Sequence, residues 1–83
     1  MIPPVIPQKM QVTAVIPVLD EQDSLRELYA EIVDVFSRVD YSWEIIFVDD
    51  GSTDSSWEVI ESLAASDPNV RGIRFRRNFG KAA

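Results

Sequence analysis

Ile45-Ile46-Phe47-Val48-Asp49-Asp50-Gly51-Ser52-Thr53-Asp54 runs from four large apolar residues directly into two acids, a glycine and three small polar residues. The unbroken apolar run predicts a strand over Trp43–Val48, buried on both faces as in a parallel sheet. A buried strand that stops abruptly in carboxylates sets their charge at the carboxyl edge of a sheet. In open α/β folds ligands bind in the crevice at that edge. An earlier stretch, Val12 to Ile16, ends in a similar way, in Pro17-Val18-Leu19-Asp20-Glu21. Two acid-bearing strand ends at one edge make a candidate site.

Outward from these stretches the chain reads as alternating strands and helices. Gln11 to Ile16 is the first predicted strand, β-branched at Val12, Val15 and Ile16, with Pro17 expected to end its ladder. Ser24 to about Val39 is a helix: Leu25, Leu28, Tyr29, Ile32, Val35, Phe36 and Val39 recur at spacings of three and four. Ser24 with Glu27, and Ser55 with Glu58, have the form of capping boxes. Asp54 to about Ala65 is the second helix, with Trp57, Ile60, Leu63 and Ala64 on one face. Val70 to Arg76 is the third strand, Arg77 to Gly80 a loop, and Lys81-Ala82-Ala83 the first turn of a further helix.

The expected fold class is α/β: a Rossmann-like βαβαβ half, a parallel sheet with flanking helices and right-handed crossovers, truncated at the start of the third helix. Residues 1–10, with Pro3, Pro4 and Pro7, are expected to be a flexible leader, and residues 11–83 an incomplete nucleotide-binding part of a larger domain.

Composition removes several classes of chemistry. Apolar residues make up 46% and charged residues 27% of 83 residues, the balance of a soluble globular chain. No run of 18 apolar residues is present, and the start lacks the basic region and long apolar core of a signal peptide. The absence of cysteine excludes disulfides and thiolate metal sites and fits a reducing, cytoplasmic setting. Without histidine, acid–base work falls to carboxylates, and any metal must be a hard, oxygen-ligated ion such as Mg²⁺ or Mn²⁺. A net charge of -6 argues against nucleic acid as a partner. Five of the eight basic residues, Arg71, Arg74, Arg76, Arg77 and Lys81, nevertheless fall in the last thirteen positions. That strip either balances the acidic remainder or offers a place for phosphate groups.

Other acidic loops fit poorly. With Gly51, Gly72 and Gly80 as the only glycines, neither a dinucleotide fingerprint nor a phosphate-cradling P-loop can form. An aspartyl-phosphate phosphatase would need Asp-x-Asp, whereas Asp49 and Asp50 are adjacent. A calcium loop would need glycine where Ser55 stands. Adjacent strand residues point to opposite faces, so Asp49 and Asp50 divide their tasks. One can accept hydrogen bonds from a base or ribose; the other fixes the loop or caps the next helix. Gly51 permits positive φ and close approach of a ligand. A purely structural reading stays open, in which Ser52, Thr53 and Asp54 cap the second helix and Glu21 complements the first helix dipole. Trp43 and Trp57 read as core anchors.

Val15-Ile16-Pro17 followed by Glu21, then Val48 to Asp54, then Arg77-Asn78-Phe79-Gly80-Lys81 resembles the family-two, GT-A-fold glycosyltransferases. Within them it is most similar to the polyprenyl-phosphate group, the dolichol-phosphate mannose synthases and the bacterial undecaprenyl-phosphate sugar transferases. The resemblance covers nearly all of residues 11–83. It implies transfer of a sugar from a UDP- or GDP-linked donor to a polyprenyl phosphate, with Mg²⁺ or Mn²⁺ on the donor diphosphate. It further implies that Pro17, Leu19 and Glu21 line the nucleoside pocket, and that Val48 and Asp50 contact base or ribose with Asp49 close by. Arg77, Asn78 and Lys81 would stand near the donor phosphates. The family's metal-binding Asp-x-Asp and its acceptor-side residues are expected beyond Ala83. No catalytic or metal-ligating residue is therefore expected within these 83 residues, and the complete protein is expected at the cytoplasmic face of a membrane. Two positions depart from the family's pattern: Asp20 stands where asparagine is usual, and Leu19 where an aromatic is common. The principal alternative is a non-catalytic Rossmann-like module that self-associates through an exposed sheet edge. A receiver-like phospho-acceptor domain would need an acceptor aspartate on the third strand, and Arg71 to Arg76 offers none.

Overall fold

Alternation of side chains along three short strands decides how this chain packs. The computed structural model describes residues 11–75, in the order β1 (Gln11–Val18), α1 (Leu25–Phe36), β2 (Ser42–Asp49), α2 (Ser56–Ser66) and β3 (Val70–Arg74). The expected leader, Arg76, the Arg77–Gly80 loop and the further helix lie outside the described residues. The strands form one parallel sheet in the order β1-β2-β3, with Ile16 opposite Phe47, Val18 opposite Asp49, Phe47 opposite Gly72 and Asp49 opposite Arg74. The βαβαβ half expected from the periodicity is the observed fold.

Both helices cover the same face of this sheet, as two successive right-handed crossovers in one direction require. The covered face carries Val18, Ile45, Phe47 and Val70, which join Leu25, Ile60 and Leu63 in the buried core. Gly72 lies at the closest approach of α2 to the sheet: a Cβ there would come within 2.5 Å of Ile60 Cγ2 and 3.2 Å of the Trp57 ring. Trp43 packs against Phe36 with ring centroids 5.3 Å apart.

The opposite face carries no helix among the described residues. Val15 is 59% and Phe75 52% exposed there, and Ile46 and Val48 are half-buried. The expectation that β2 is buried on both faces is therefore corrected for the described part. An apolar run marks a strand able to accept cover on both sides; it does not supply the cover.

Pro17 does not end β1, which continues to Val18. In a parallel ladder a residue directs its N–H and C=O to one side, and the next residue directs its own to the other. The Val18 carbonyl accepts the Asp50 amide at 3.0 Å, so the nitrogen of Pro17 looks to the side of β1 away from β2, where no strand pairs with it among the described residues. Neither proposed capping box forms: Ser24 and Ser55 occupy the N-caps without a side-chain cap hydrogen bond. The Glu21 carbonyl accepts the Ser24 and Leu25 amides, each at 3.1 Å, and Asp54 Oδ1 accepts the Ser56 amide at 2.8 Å.

Tyr29 joins α1 to the turn before β3 by donating its hydroxyl to Asp67 Oδ2 at 2.5 Å. That hydrogen bond, with burial and the Asp67 charge adding to it, raises the phenol above its ordinary value of 10.0. A folded value above the unfolded one means that the stabilisation is complete below pH about 10 and is lost as pH rises through the raised value. Tyr29→Phe should cost about 1 kcal/mol at pH 7, and the gap from wild type should narrow above pH about 10. Urea midpoints at pH 7 and pH 11 check this; an equal gap at both would refute the clip. None of the described helices is long and apolar enough to cross a membrane.

Candidate functional site

The carboxyl ends of β1 and β2 lie side by side because the register pairs Pro17 with Val48 and Val18 with Asp49. The two loops that follow, residues 19–24 and 50–55, are then stitched to each other by reciprocal hydrogen bonds. The Asp20 amide donates to Ser52 Oγ at 2.9 Å, and the Glu21 amide to Ser56 Oγ at 2.8 Å. The Gln22 amide donates to Asp54 Oδ2 at 3.2 Å. In the reverse direction, Asp20 Oδ1 accepts the Thr53 amide at 2.7 Å and the Asp54 amide at 3.3 Å. Gln22 Oε1 accepts the Ser55 amide at 2.6 Å. Each loop thus satisfies backbone donors of the other, including amides at the start of α2 that have no partner inside the helix.

Asp20 accounts for its own departure from asparagine. Its φ is 53°, in the left-handed region that aspartate and asparagine tolerate best among side-chain-bearing residues. Its carboxylate faces the amides of Thr53 and Asp54, at the positive end of the α2 dipole, so the extra charge is absorbed within the stitch. Gly51 has a φ of 92°, the conformation that glycine supplies without strain. The Ser56 side chain first, then the amides of Ser56, Gln22 and Asp54, hold the Asp54 carboxyl below its ordinary 3.8. This contribution to the stitch is present above that range and is lost as pH falls through the lowered value.

The two adjacent acids part company. Asp49 is wholly buried on the helix-covered side, where its Oδ1 accepts the amide of Ser52 at 3.0 Å and the Ser52 hydroxyl at 2.5 Å. Asp50 is exposed one residue beyond β2. Alternation places it with Pro17 and Val48 on the sheet side that bears no helix. Leu19 and Glu21 are exposed on the neighbouring loop, and Leu19 offers apolar surface where an aromatic is common. Of the residues named from sequence, Pro17 and Val48 are paired in the register, Leu19, Glu21 and Asp50 are exposed in the segments that follow the two strands, and Asp49 is buried. Arg77, Asn78 and Lys81 lie outside the described residues. The residues that sequence reasoning left without a site role are Gln22, Ser52 and Ser56 as loop ties, and Arg74. The cluster of small polar residues was visible, but hydrogen bonds spanning more than thirty positions leave no local signal. Among the described residues, no three of His, Cys, Asp and Glu gather closely enough to hold a metal ion.

Comparison with known proteins now bears on this edge. The family model described as Glycosyl transferase family 2 matches residues 13–83. The chain belongs to that family. It is 38% identical over 72 residues to the prophage bactoprenol glucosyl transferase homolog of Escherichia coli strain K12, covering 87% of this chain and 24% of that protein. It is 44% identical over 73 residues to the undecaprenyl-phosphate 4-deoxy-4-formamido-L-arabinose transferase of Pseudomonas fluorescens strain SBW25, covering 87% of this chain and 21% of that protein. The bactoprenol glucosyl transferase of Shigella phage SfV is 38% identical over 72 residues, again with 87% of this chain and 24% of that protein covered. This glycosyl transferase family 2 chain thus spans about a quarter of the length of the curated relatives it matches. The matched region contains the stitched edge and all of β1, β2 and β3 except Gln11 and Val12.

Proposed function

We propose that residues 11–83 form the nucleotide-binding part of a glycosyltransferase that moves a sugar from a UDP- or GDP-linked donor to a polyprenyl phosphate. The observation that supports this reading is the stitched pair of βα loops, with Leu19, Glu21 and Asp50 exposed just beyond the paired strand ends at Pro17 and Val48. The family membership and the printed names of the relatives support the choice of sugar donor and polyprenyl phosphate acceptor. A nucleoside needs an apolar surface for its base and acceptors for ring N–H or ribose hydroxyls, and these residues supply both. Asp50 accepts from base or ribose, Glu21 borders the pocket, and Asp49 fixes the loop from below. Arg77, Asn78 and Lys81 stand for the donor phosphates. The described residues do not fit the Mg²⁺ or Mn²⁺ ion that the family commonly employs, because they present no ligand set for it. The chemistry derived from this chain is accordingly to bind and orient the nucleotide half of the donor.

Isothermal titration of the chain with UDP and with GDP tests the proposal. One of the two should bind, and Asp50→Ala should weaken that binding by about tenfold or more, the cost of removing a charged hydrogen-bond acceptor. Glu44→Gln, at the middle of the sheet, should leave it unchanged. Flat titrations with both nucleotides, or equal affinity in Asp50→Ala, would sink the reading.

A further inference from the structure

Asp49 presents two oxygens with different fates. Oδ1 is engaged by the Ser52 amide and hydroxyl, whereas Oδ2 is buried with no hydrogen-bond partner among the described residues. Among the described residues the positive charge facing Oδ2 is Arg74, whose Nε lies 3.7 Å away, within ion-pair reach but beyond a hydrogen bond. Arg74 stands opposite Asp49 in the β2–β3 register, and its guanidinium rides 5.4 Å above the Trp57 ring of α2. A buried carboxylate with one open oxygen depends strongly on the nearest cation, since little water is available to replace it. The Trp57 face in turn holds the cation where it is.

We infer that Arg74 is a positioning residue for both nucleotide loops, acting through Asp49. From Arg74 the connection passes to Asp49, to Ser52 through Oδ1, and from Ser52 Oγ to the Asp20 amide at 2.9 Å. Asp20 then holds Thr53 and Asp54. A residue on the third strand thereby sets the conformation of loops that follow the first and second. With Arg74 in place the Asp49 carboxylate stays aimed at Ser52; without it the buried carboxylate has reason to turn toward water and release the loop. The inference rests on the nucleotide-site reading for its purpose, yet its geometry stands independently.

The test is amide hydrogen exchange by NMR on the whole chain, comparing wild type with Arg74→Met, which keeps an apolar stem over Trp57, and Arg74→Lys, which keeps the charge. In Arg74→Met the Ser52 and Asp20 amides should exchange about tenfold faster, the factor expected for weakening a charge-assisted tie. The Ile45 amide, bonded to the Asn69 carbonyl in the core at 2.8 Å, should keep its rate. Arg74→Lys should stay within about threefold of wild type. The inference is overturned by unchanged Ser52 and Asp20 rates in Arg74→Met. An equal acceleration at Ile45, or an Arg74→Lys as fast as Arg74→Met, overturns it too. Titration of the same proteins with UDP and GDP separates the two readings. Weaker nucleotide binding in Arg74→Met supports the positioning role, and unchanged binding overturns it. If wild type binds neither nucleotide, the function proposed above fails while the exchange rates still decide the role of Arg74.

Discussion

Phe47→Ala is expected to remove about 3–5 kcal/mol and to shift the urea midpoint far below that of wild type. Phe47 is 0% exposed and is the largest fully buried side chain among the described residues. It stands in the middle strand, paired with Ile16 on β1 and Gly72 on β3. Truncation therefore leaves a cavity between the sheet and both helices. Gly72 has no side chain to move into it, and the parallel ladders fix the backbone on both sides. A domain of this size has only about 5–15 kcal/mol of stability in total, so a cavity of that size consumes a large part of it. Circular dichroism during a urea titration measures the effect directly. A midpoint close to wild type would mean that the core is not organised around β2.

The second large effect belongs to a polar residue. Asp49→Ala should cost about 3 kcal/mol, comparable with losing a large apolar side chain. The substitution strands the buried Ser52 amide and hydroxyl and leaves the Arg74 charge without its carboxylate. Asp49→Asn should cost less, because one acceptor oxygen remains for Ser52 while the attraction to Arg74 is lost. Asp50→Ala, one position along and exposed, should change the urea midpoint little. The contrast is the informative part: two adjacent aspartates separate into one buried that holds the fold and one exposed at the strand end. Equal destabilisation by Asp49→Ala and Asp50→Ala would contradict that division.

How much of this was legible beforehand follows from the range of the forces involved. The helical stripes were readable because amphipathic periodicity is local; Leu25, Ile60 and Leu63 fall in the core where their spacing predicts. The strand ends carrying Glu21 and Asp50 were readable for the same reason. Helix starts were less so. Ser24 and Ser55 carry the pattern of a capping box, but neither side chain caps its helix, and the amides of Thr53, Asp54, Ser55 and Ser56 leading into α2 are held by Asp20, Gln22 and Asp54. Those partners lie across the loop or across the sheet edge, and no local pattern encodes their approach. Pro17 misled in a similar way, since its meaning depends on whether β1 has a neighbour on the proline's side.

The order of apolar and acidic segments, by itself, determined the βαβαβ architecture and the edge at which ligands are to be sought, because strand and helix periods are properties of consecutive residues. Only the tertiary structure decided which of Asp49 and Asp50 is buried, that Asp20 takes a left-handed conformation to cap the neighbouring loop, and that Arg74 faces Asp49 from the third strand. These depend on strand register and crossover hand, which bring together side chains twenty to thirty-five positions apart, and the contacts come into being only when the sheet is assembled.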